Sequence, residues 1–313
     1  MERARGQRVV TRFLVVVWLV CLALWITRHH FETVDHPAEA TKASLHADVL
    51  RGDAPDPYQY KLELISHVLE GLRGVTGLPL VAIWFLNTLL SSLALVFAHH
   101  AWLRTYVGLR GALVGAFVLA ALTTVWFRGY QHHPYELWGL ALTCVLMRGV
   151  QRDWPLWSLA ALGLVTGTVW EKHALVPAAD GLWRLSRQKP FLPTLLRGFV
   201  VLVACVAVPV VLRLVLDAGL DGPRTAVDGD TTLERQRWEL VLWHQVPYVL
   251  PFFLTLLMSW RKQPGWVRSL WIALPLLALA YLSQRFILHE TRSFVFLAPV
   301  FTATVAIALS PFG

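Results

Sequence analysis

Charged and histidine side chains stand at the ends of apolar runs in four separate parts of this sequence. They are Asp35, the run from His132 to Glu136, the run Glu171-Lys172-His173, and the run from His289 to Arg292. A carboxylate in such a set could act as a base, while lysine and arginine could hold an anionic leaving group. That chemistry suits substrates that carry a phosphate. The structural alternative is that each group ends a helix and forms an ion pair there, as charges at helix ends commonly do.

A metal site is a weaker interpretation of the same residues. Asp35 is followed by His36, and the further ligands would come from His46, Asp48, His132 and His133. No HExxH or comparable fixed spacing occurs, and twelve histidines produce such pairs by chance. The nucleotide-binding GxxxxGK[ST], the hydrolase GxSxG and the dinucleotide-binding GxGxxG are absent as well. We therefore predict no metal site and no cofactor, with a divalent metal left open.

The composition says what kind of molecule must position these groups. Of the 313 residues, 56% are hydrophobic and 15% are charged, and the mean hydropathy is +0.53. Soluble domains have about 45–50% apolar and about 25% charged residues. A soluble globule, a disordered chain and a disulfide scaffold are thereby excluded, the last because there are only three cysteines. The composition predicts an all-α, polytopic transmembrane helix bundle.

Ten apolar runs are candidate membrane helices, with eight to ten as the expected range. They are residues 13–27, 74–103, 111–127, 137–147, 154–170, 174–183, 198–212, 240–260, 269–284 and 293–313. A full span needs about 20 residues, so the shorter runs must extend into their charged flanks. The run 174–183 contains Pro177 and Asp180, and is predicted to be a span, a broken helix or a re-entrant turn. The whole chain, residues 1–313, is expected to form a single transmembrane domain.

Every second short loop between the apolar runs is rich in basic residues. With a cytoplasmic N-terminus, the short inward segments are rich in arginine and lysine and contain only Glu2 and Asp153 as acids, whereas nearly all carboxylates face outward. Ten crossings then place the C-terminus in the cytoplasm too. The net charge of +8 is thus explained without nucleic acid. Tryptophans such as Trp102, and the pairs His29-His30 and His99-His100, are interpreted as interfacial residues at helix ends.

Two predicted external segments are long. The first, residues 28–73, has helical apolar spacing from Ala38 to Leu50 and again from Tyr60 to Leu72, which predicts two helices lying along the membrane interface. A turn over residues 52–57 separates them. The second, residues 217–239, is rich in glycine and acidic residues and is predicted to be a mobile loop or lid.

The order of these features resembles the GT-C type of membrane glycosyltransferases. The resemblance rests on Asp35 after the first helix, on Leu50-Arg51-Gly52 and Asp56-Pro57-Tyr58-Gln59-Tyr60-Lys61, on the run from Trp170 to Pro177, and on His289-Glu290-Thr291-Arg292 before Leu297-Ala298-Pro299. It implies transfer of a sugar from a polyprenyl-phosphate donor to an outward-facing glycan or lipid acceptor. It also implies a multi-pass protein of the cell membrane, the inner membrane in bacteria.

The resemblance assigns roles to individual residues. Asp35 would be the catalytic base. Lys172 and Arg292 would hold the departing phosphate, and Glu171 and Glu290 would orient those cations or contact sugar hydroxyls. The remaining substrate-binding candidates are Tyr58, Lys61 and His133.

Two other functions fit the same charges. A transporter or flippase of a lipid-linked or anionic molecule would use them as a translocation path and would show polar residues at the bilayer midplane. A non-catalytic scaffold is the third interpretation, because Asp35-His36 stands where those transferases usually have an acidic pair.

Overall fold

The computed structural model describes residues 2–32, 36–54, 56–126, 135–169, 173, 175–216, 246–272 and 298–310. Within these ranges the chain is helical, with no strand, which confirms the predicted all-α class. The helices are α1 (Glu2–Glu32), α2 (His36–Arg51), α3 (Asp56–Thr76), α4 (Leu80–Leu103), α5 (Leu109–Trp126), α6 (Glu136–Gln151), α7 (Leu156–Gly167), α8 (Leu175–Ser186), α9 (Phe191–Val215), α10 (Val246–Ser259) and α11 (Ala298–Leu309). Residues 265–272 are helical as well.

Three helices are long and apolar enough to cross a membrane. They are Val9–Phe31 within α1, Leu80–Leu103 and Phe191–Val215, and only 17% to 39% of the most apolar window of each is buried inside the protein. Large apolar side chains such as Phe13, Phe199 and Leu214 are therefore exposed. An apolar surface of this extent needs a cover other than water. Length, composition and exposure together indicate a membrane protein.

The other apolar helices are shorter. Leu109–Thr124, Leu156–Gly167, Leu250–Ser259 and Ala298–Leu309 have 10 to 17 residues each. A helix of 12 residues is about 18 Å long, whereas a hydrocarbon core is about 30 Å thick. The described helices alone do not establish ten spans, and that number stays a prediction.

Contacts between turns and helix ends show which of them lie at the same end of the bundle. At one end Thr105 Oγ1 lies 3.0 Å from Gln151 Oε1, Arg197 donates to the Trp154 carbonyl at 3.2 Å, and Trp102 packs on Trp266. We call this the basic end, because its described cations are Arg104, Arg110, Arg148, Arg152, Arg184, Arg187, Lys189, Arg197, Arg261, Lys262 and Arg268. At the opposite end the His29 ring lies 3.1 Å from the Thr124 carbonyl. The helices from α4 to α9 therefore alternate in direction.

Glycine pairs allow two of the helix contacts to be close. Gly163 and Gly167 of α7 face Ala204 and Cys205 of α9, and a Cβ at Gly167 would lie 2.5 Å from the Cys205 carbonyl oxygen. Gly111 and Gly115 of α5 face Ala306 of α11 in the same way. This small-xxx-small packing is typical of helices associating in membranes.

Two helices occupy the segment that was predicted to be the first external loop. α2 and α3 meet at a turn where Gly52 has φ +77°, a conformation that favours glycine. They enclose a small core of Val49, Ala54 and Leu62 with Tyr135. α3 rests on α4. Whether either helix lies on a membrane surface stays a prediction.

Two interpretations of individual residues as interfacial were wrong. His99 and Trp102 are both fully buried, and the His99 ring lies 2.8 Å from the Thr302 hydroxyl of α11.

α8 is one unbroken helix, because Pro177 falls in its first turn, where a missing N–H costs little. The predicted loop at residues 217–239 lies outside the described residues.

Candidate functional site

The predicted site residues fall largely where the structure gives no description. Asp35, His133, Glu171, Lys172, Glu290 and Arg292 lie outside the described residues. Tyr58 and Lys61 belong to α3, and only their backbone is described. The structure therefore neither brings these side chains together nor separates them, and their roles stay predictions.

A cavity of about 470 Å³ lies between α3, α4, α6 and α7. We call it the α3 cavity. Its lining includes Leu64, Val68, Leu69 and Leu72 of α3, Ile83, Leu86, Asn87 and Leu90 of α4, Tyr135, Trp138 and Leu142 of α6, and Val165, Thr168 and Val169 at the end of α7. Almost all of these side chains are apolar, and none of the lining residues is charged. Such a surface suits a hydrocarbon ligand.

The α3 cavity lies at the end opposite to the basic end. It is formed by the early residues of α4 and α6 and by the last turn of α7, which share that end of the bundle. Leu64, Val68 and Leu72 line it and are nevertheless 46% to 48% exposed. The cavity therefore opens to the side, along the exposed apolar face of α3.

One hydrogen bond between side chains crosses the cavity wall. The Trp138 indole N–H donates to the Asn87 side-chain oxygen at 3.0 Å, which fixes α6 against α4. In an apolar environment this bond avoids the cost of an unpaired indole N–H. Asn87 is the one amide side chain in the apolar run 74–103. Its partner could not be inferred, because 51 residues separate the two.

A buried polar contact joins His173 to Thr143 of α6, a helix that also lines the α3 cavity. His173 is 1% exposed, and its Nδ1 lies 2.8 Å from the Thr143 hydroxyl, which in turn donates to the Gly139 carbonyl at 2.8 Å. With the single hydroxyl proton given to the Gly139 carbonyl, the contact with His173 requires a proton on Nδ1, and His173 is then the donor. Glu136 at the start of α6 is buried too. Thr143 was missed, since a threonine in an apolar run gives no signal of its own.

A cluster of charges at the basic end joins three parts of the chain. The Asp180 carboxylate on α8 accepts from Arg184 at 2.9 Å and lies 3.6 Å from Arg197 of α9. Asp153, in the turn before α7, pairs with Arg184 and lies 3.8 Å from Arg197. The Asp180 side chain is 4% exposed, so its charge needs these partners. The cluster fastens α8 and α9 to the turn before α7, which is a structural role.

His46 forms a second buried contact, at the opposite end. Its ring lies 3.7 Å from a Glu70 carboxylate oxygen of α3 and meets the Trp84 ring of α4 edge to face. Burial lowers the pKa of His46, while the nearby carboxylate of Glu70 opposes that change.

The described ranges contain no group of three or more His, Cys, Asp or Glu side chains that could hold a metal ion. The expectation of no cofactor is not tested by that finding. Comparisons with known protein families, with curated proteins and with solved structures found no match to this chain. The likeness to GT-C transferases stays a hypothesis drawn from short motifs.

Proposed function

We propose that this chain is a multi-pass membrane glycosyltransferase of the GT-C type. In this proposal it has about ten spans and cytoplasmic termini, and moves a sugar from a polyprenyl-phosphate donor to a glycan or lipid acceptor on the outward face. The observation that carries the proposal is the α3 cavity, which is apolar, open sideways and opposite to the basic end. The positive-inside rule assigns the basic end to the cytoplasm, so the cavity belongs to the outward half.

The cavity suits part of a polyprenyl chain. Its volume of about 470 Å³ falls within the roughly 300–1,000 Å³ of typical ligand sites. A hydrocarbon chain needs no hydrogen bond, and the lining offers no charge that would be left unpaired. Entry from the side keeps the chain in an apolar environment throughout.

Several predicted site residues are close in the sequence to residues that line the cavity. Glu171 is two residues beyond Val169, and His133 is two residues before Tyr135. Two residues of chain span about 7 Å at most. Lys61 precedes Leu64 by one turn of α3, about 5 Å along the helix axis. A phosphate at the cavity mouth would have these groups nearby.

The proposed reaction is a single displacement at the anomeric carbon. Asp35 takes the proton from the acceptor hydroxyl, whose oxygen forms the new bond as the bond from the anomeric carbon to the phosphate oxygen breaks. The configuration inverts, and the lipid phosphate leaves with the bonding electron pair. Lys172 and Arg292 hold its developing charge, Glu171 and Glu290 orient those cations, and Tyr58 and Lys61 line the entrance.

The test is sugar transfer by the purified protein in proteoliposomes that contain polyprenyl-phosphate-linked sugars. Asp35→Asn should abolish transfer while the protein stays folded, and Asp53→Asn on the same external segment should leave it intact. Asp53 is the matched control because it is an exposed carboxylate. Full transfer by Asp35→Asn would remove Asp35 from the role of base, and no transfer by the wild-type protein with any sugar would refute the proposal.

The transporter alternative makes a different prediction in the same vesicles. A flippase would move the lipid-linked sugar across the bilayer without any acceptor, and would need a path through both halves of the membrane. The α3 cavity is lined by the early part of α4, up to Leu90, and not by the part near the basic end. This one-sided position favours the transferase.

A further inference from the structure

Three polar side chains, one each from α2, α3 and α4, lie close together where these helices meet. His46 comes from α2, Glu70 from α3 and Trp84 from α4. The Nε2 of His46, the Oε2 of Glu70 and the Nε1 of Trp84 are buried, and none has a hydrogen-bond partner among the described residues. Such groups are expensive to bury and are uncommon in folded proteins.

His46 contributes to the attachment of α2 to the rest of the bundle. Of the α2 side chains that are described, residues 43–51, only His46 and Val49 are buried. Val49 packs in the small core with Leu62 and Tyr135. Leu45 is partly buried against the same core, so among the described side chains α2 is attached by apolar contacts of Leu45 and Val49 and by the titratable contact of His46.

We propose that His46 is a positioning residue that fastens α2 to α3 and α4 while its ring is neutral and releases α2 when the ring takes a proton. The contacts of His46 with Glu70 and Trp84 support this structural role whatever the function of the protein. Its effect on catalysis rests on the proposed function, in which the base Asp35 directly precedes α2. Transfer then depends on pH through the position of α2.

The direction of the pH effect follows from the groups that face His46. On α3 these are Glu70, which favours the charged ring, and Arg73 and His67, which disfavour it. α4 contributes the uncharged Trp84 ring. Burial is the largest influence, so the pKa of His46 lies below its ordinary value of 6.5 when α2 is docked. The undocked state then binds more protons, and docking weakens as the pH falls below about 6.5.

Hydrogen exchange measured by mass spectrometry tests this without any reference to activity. The readout is the protection of peptides from residues 36–51 relative to peptides from α5, at pH 7.5 and 5.5, so that the intrinsic pH dependence of exchange cancels. The wild-type protein should lose relative protection of α2 several-fold at the lower pH. His46→Gln, which stays neutral, should show no such loss.

The matched control is His67→Gln. His67 also pairs with a glutamate, Glu63 at 2.9 Å, but it is 55% exposed. Its influence on His46 is the smallest of those named above, so this variant should lose protection at pH 5.5 nearly as the wild-type protein does. A second variant, Glu70→Gln, removes the group that stabilises the charged ring, so its loss at pH 5.5 should exceed that of the wild type.

The outcomes separate this inference from the proposed function. An equal loss in His46→Gln and in the wild type, or no loss in either Glu70→Gln or the wild type, would overturn the role of His46. If the exchange results hold, the pH profile of transfer should have an acid limb in the wild type and His67→Gln that is absent from His46→Gln. Expected exchange without any transfer at any pH would refute the transferase and leave the fastening of α2 in place.

Discussion

Two pairs of polar residues inside this bundle join positions that are far apart in the sequence. His99 and Thr302 are 203 residues apart, and Asn87 and Trp138 are 51 apart. The sequence predicted an interfacial position for His99, which is instead buried. A single polar residue in an apolar run does not show whether a partner exists, so burial of the pair could not be predicted.

The best-defined residue for a stability test is Asp180. Asp180→Asn keeps the shape of the side chain but leaves Arg184 and Arg197 with less compensating charge in a site where Asp180 is 4% exposed. Because unpaired buried charge is costly, we expect a loss of about 1–3 kcal/mol in the free energy of unfolding. Thermal unfolding in detergent measures it.

Asp53→Asn is the control for that experiment. Asp53 pairs with Arg51 at 3.2 Å, but both side chains are more than 60% exposed. Exposed pairs contribute little, so its melting temperature should match that of the wild type. Equal melting temperatures for the two variants would contradict the structural role of the charge cluster at the basic end.

At the scale of helices, the apolar runs in the sequence predicted where the long apolar helices lie, but not where they begin and end. The runs 13–27 and 198–212 correspond to α1 and α9, which extend beyond them at both ends, whereas the run 74–103 corresponds to α4, which begins only at Leu80. The extension is physical, because helix hydrogen bonding continues through charged flanks that no hydropathy pattern marks. The spacing Gly163-x-x-x-Gly167 could have predicted the close contact of α7 with α9, but it was not used.

Gly167→Ala tests that contact. The added methyl group would lie 2.5 Å from the Cys205 carbonyl oxygen, a backbone atom that cannot turn aside. We expect α7 and α9 to be forced apart at a cost of about 1–3 kcal/mol in stability. Gly181→Ala in α8 is the matched control, since nothing lies within 4 Å of its Cβ position, and it should be neutral or slightly stabilising. Equal destabilisation by both substitutions would mean that the contact is looser than described.

Filling the α3 cavity should weaken donor binding. Leu90→Trp places a larger ring in the cavity, so the KM for the polyprenyl-phosphate donor should rise about tenfold or more with kcat little changed, because binding of the remote chain is lost uniformly. Leu257→Trp on α10 is the control: it is 55% exposed, against 54% for Leu90, and does not line the cavity. An unchanged KM in Leu90→Trp would separate the cavity from the donor.

At the scale of the whole molecule, the alternation of basic loops predicted the antiparallel arrangement whose contacts the structure shows. The turns that contain Thr105 and Trp154 and the beginning of the helix that contains Trp266 meet at one end, as segments next to one side must. Which end faces the cytoplasm depends on the membrane, which is no part of the fold. The site itself was predictable only as a set of loop residues, because side chains from distant loops converge through tertiary packing.

Cysteine labelling in intact cells tests the orientation. In a Cys21→Ser background, Asp53→Cys should react with a membrane-impermeant maleimide added outside. Lys189→Cys, in the turn between α8 and α9, should react only after the membrane is opened. Both positions are exposed, so burial would not explain a difference. The reverse pattern would invert the topology and place the α3 cavity in the cytoplasmic half.

The most direct test of the central claim is to locate the hydrocarbon chain of the donor. A polyprenyl-phosphate sugar with a photoreactive diazirine on its chain would be irradiated with the protein in vesicles, and the labelled peptides identified. We predict labelling of α3, α4, α6 and α7 around the cavity, reduced by unlabelled polyprenyl phosphate and by Leu90→Trp. Labelling spread over the lipid-facing surface of α9, with no effect of the competitor, would contradict the account.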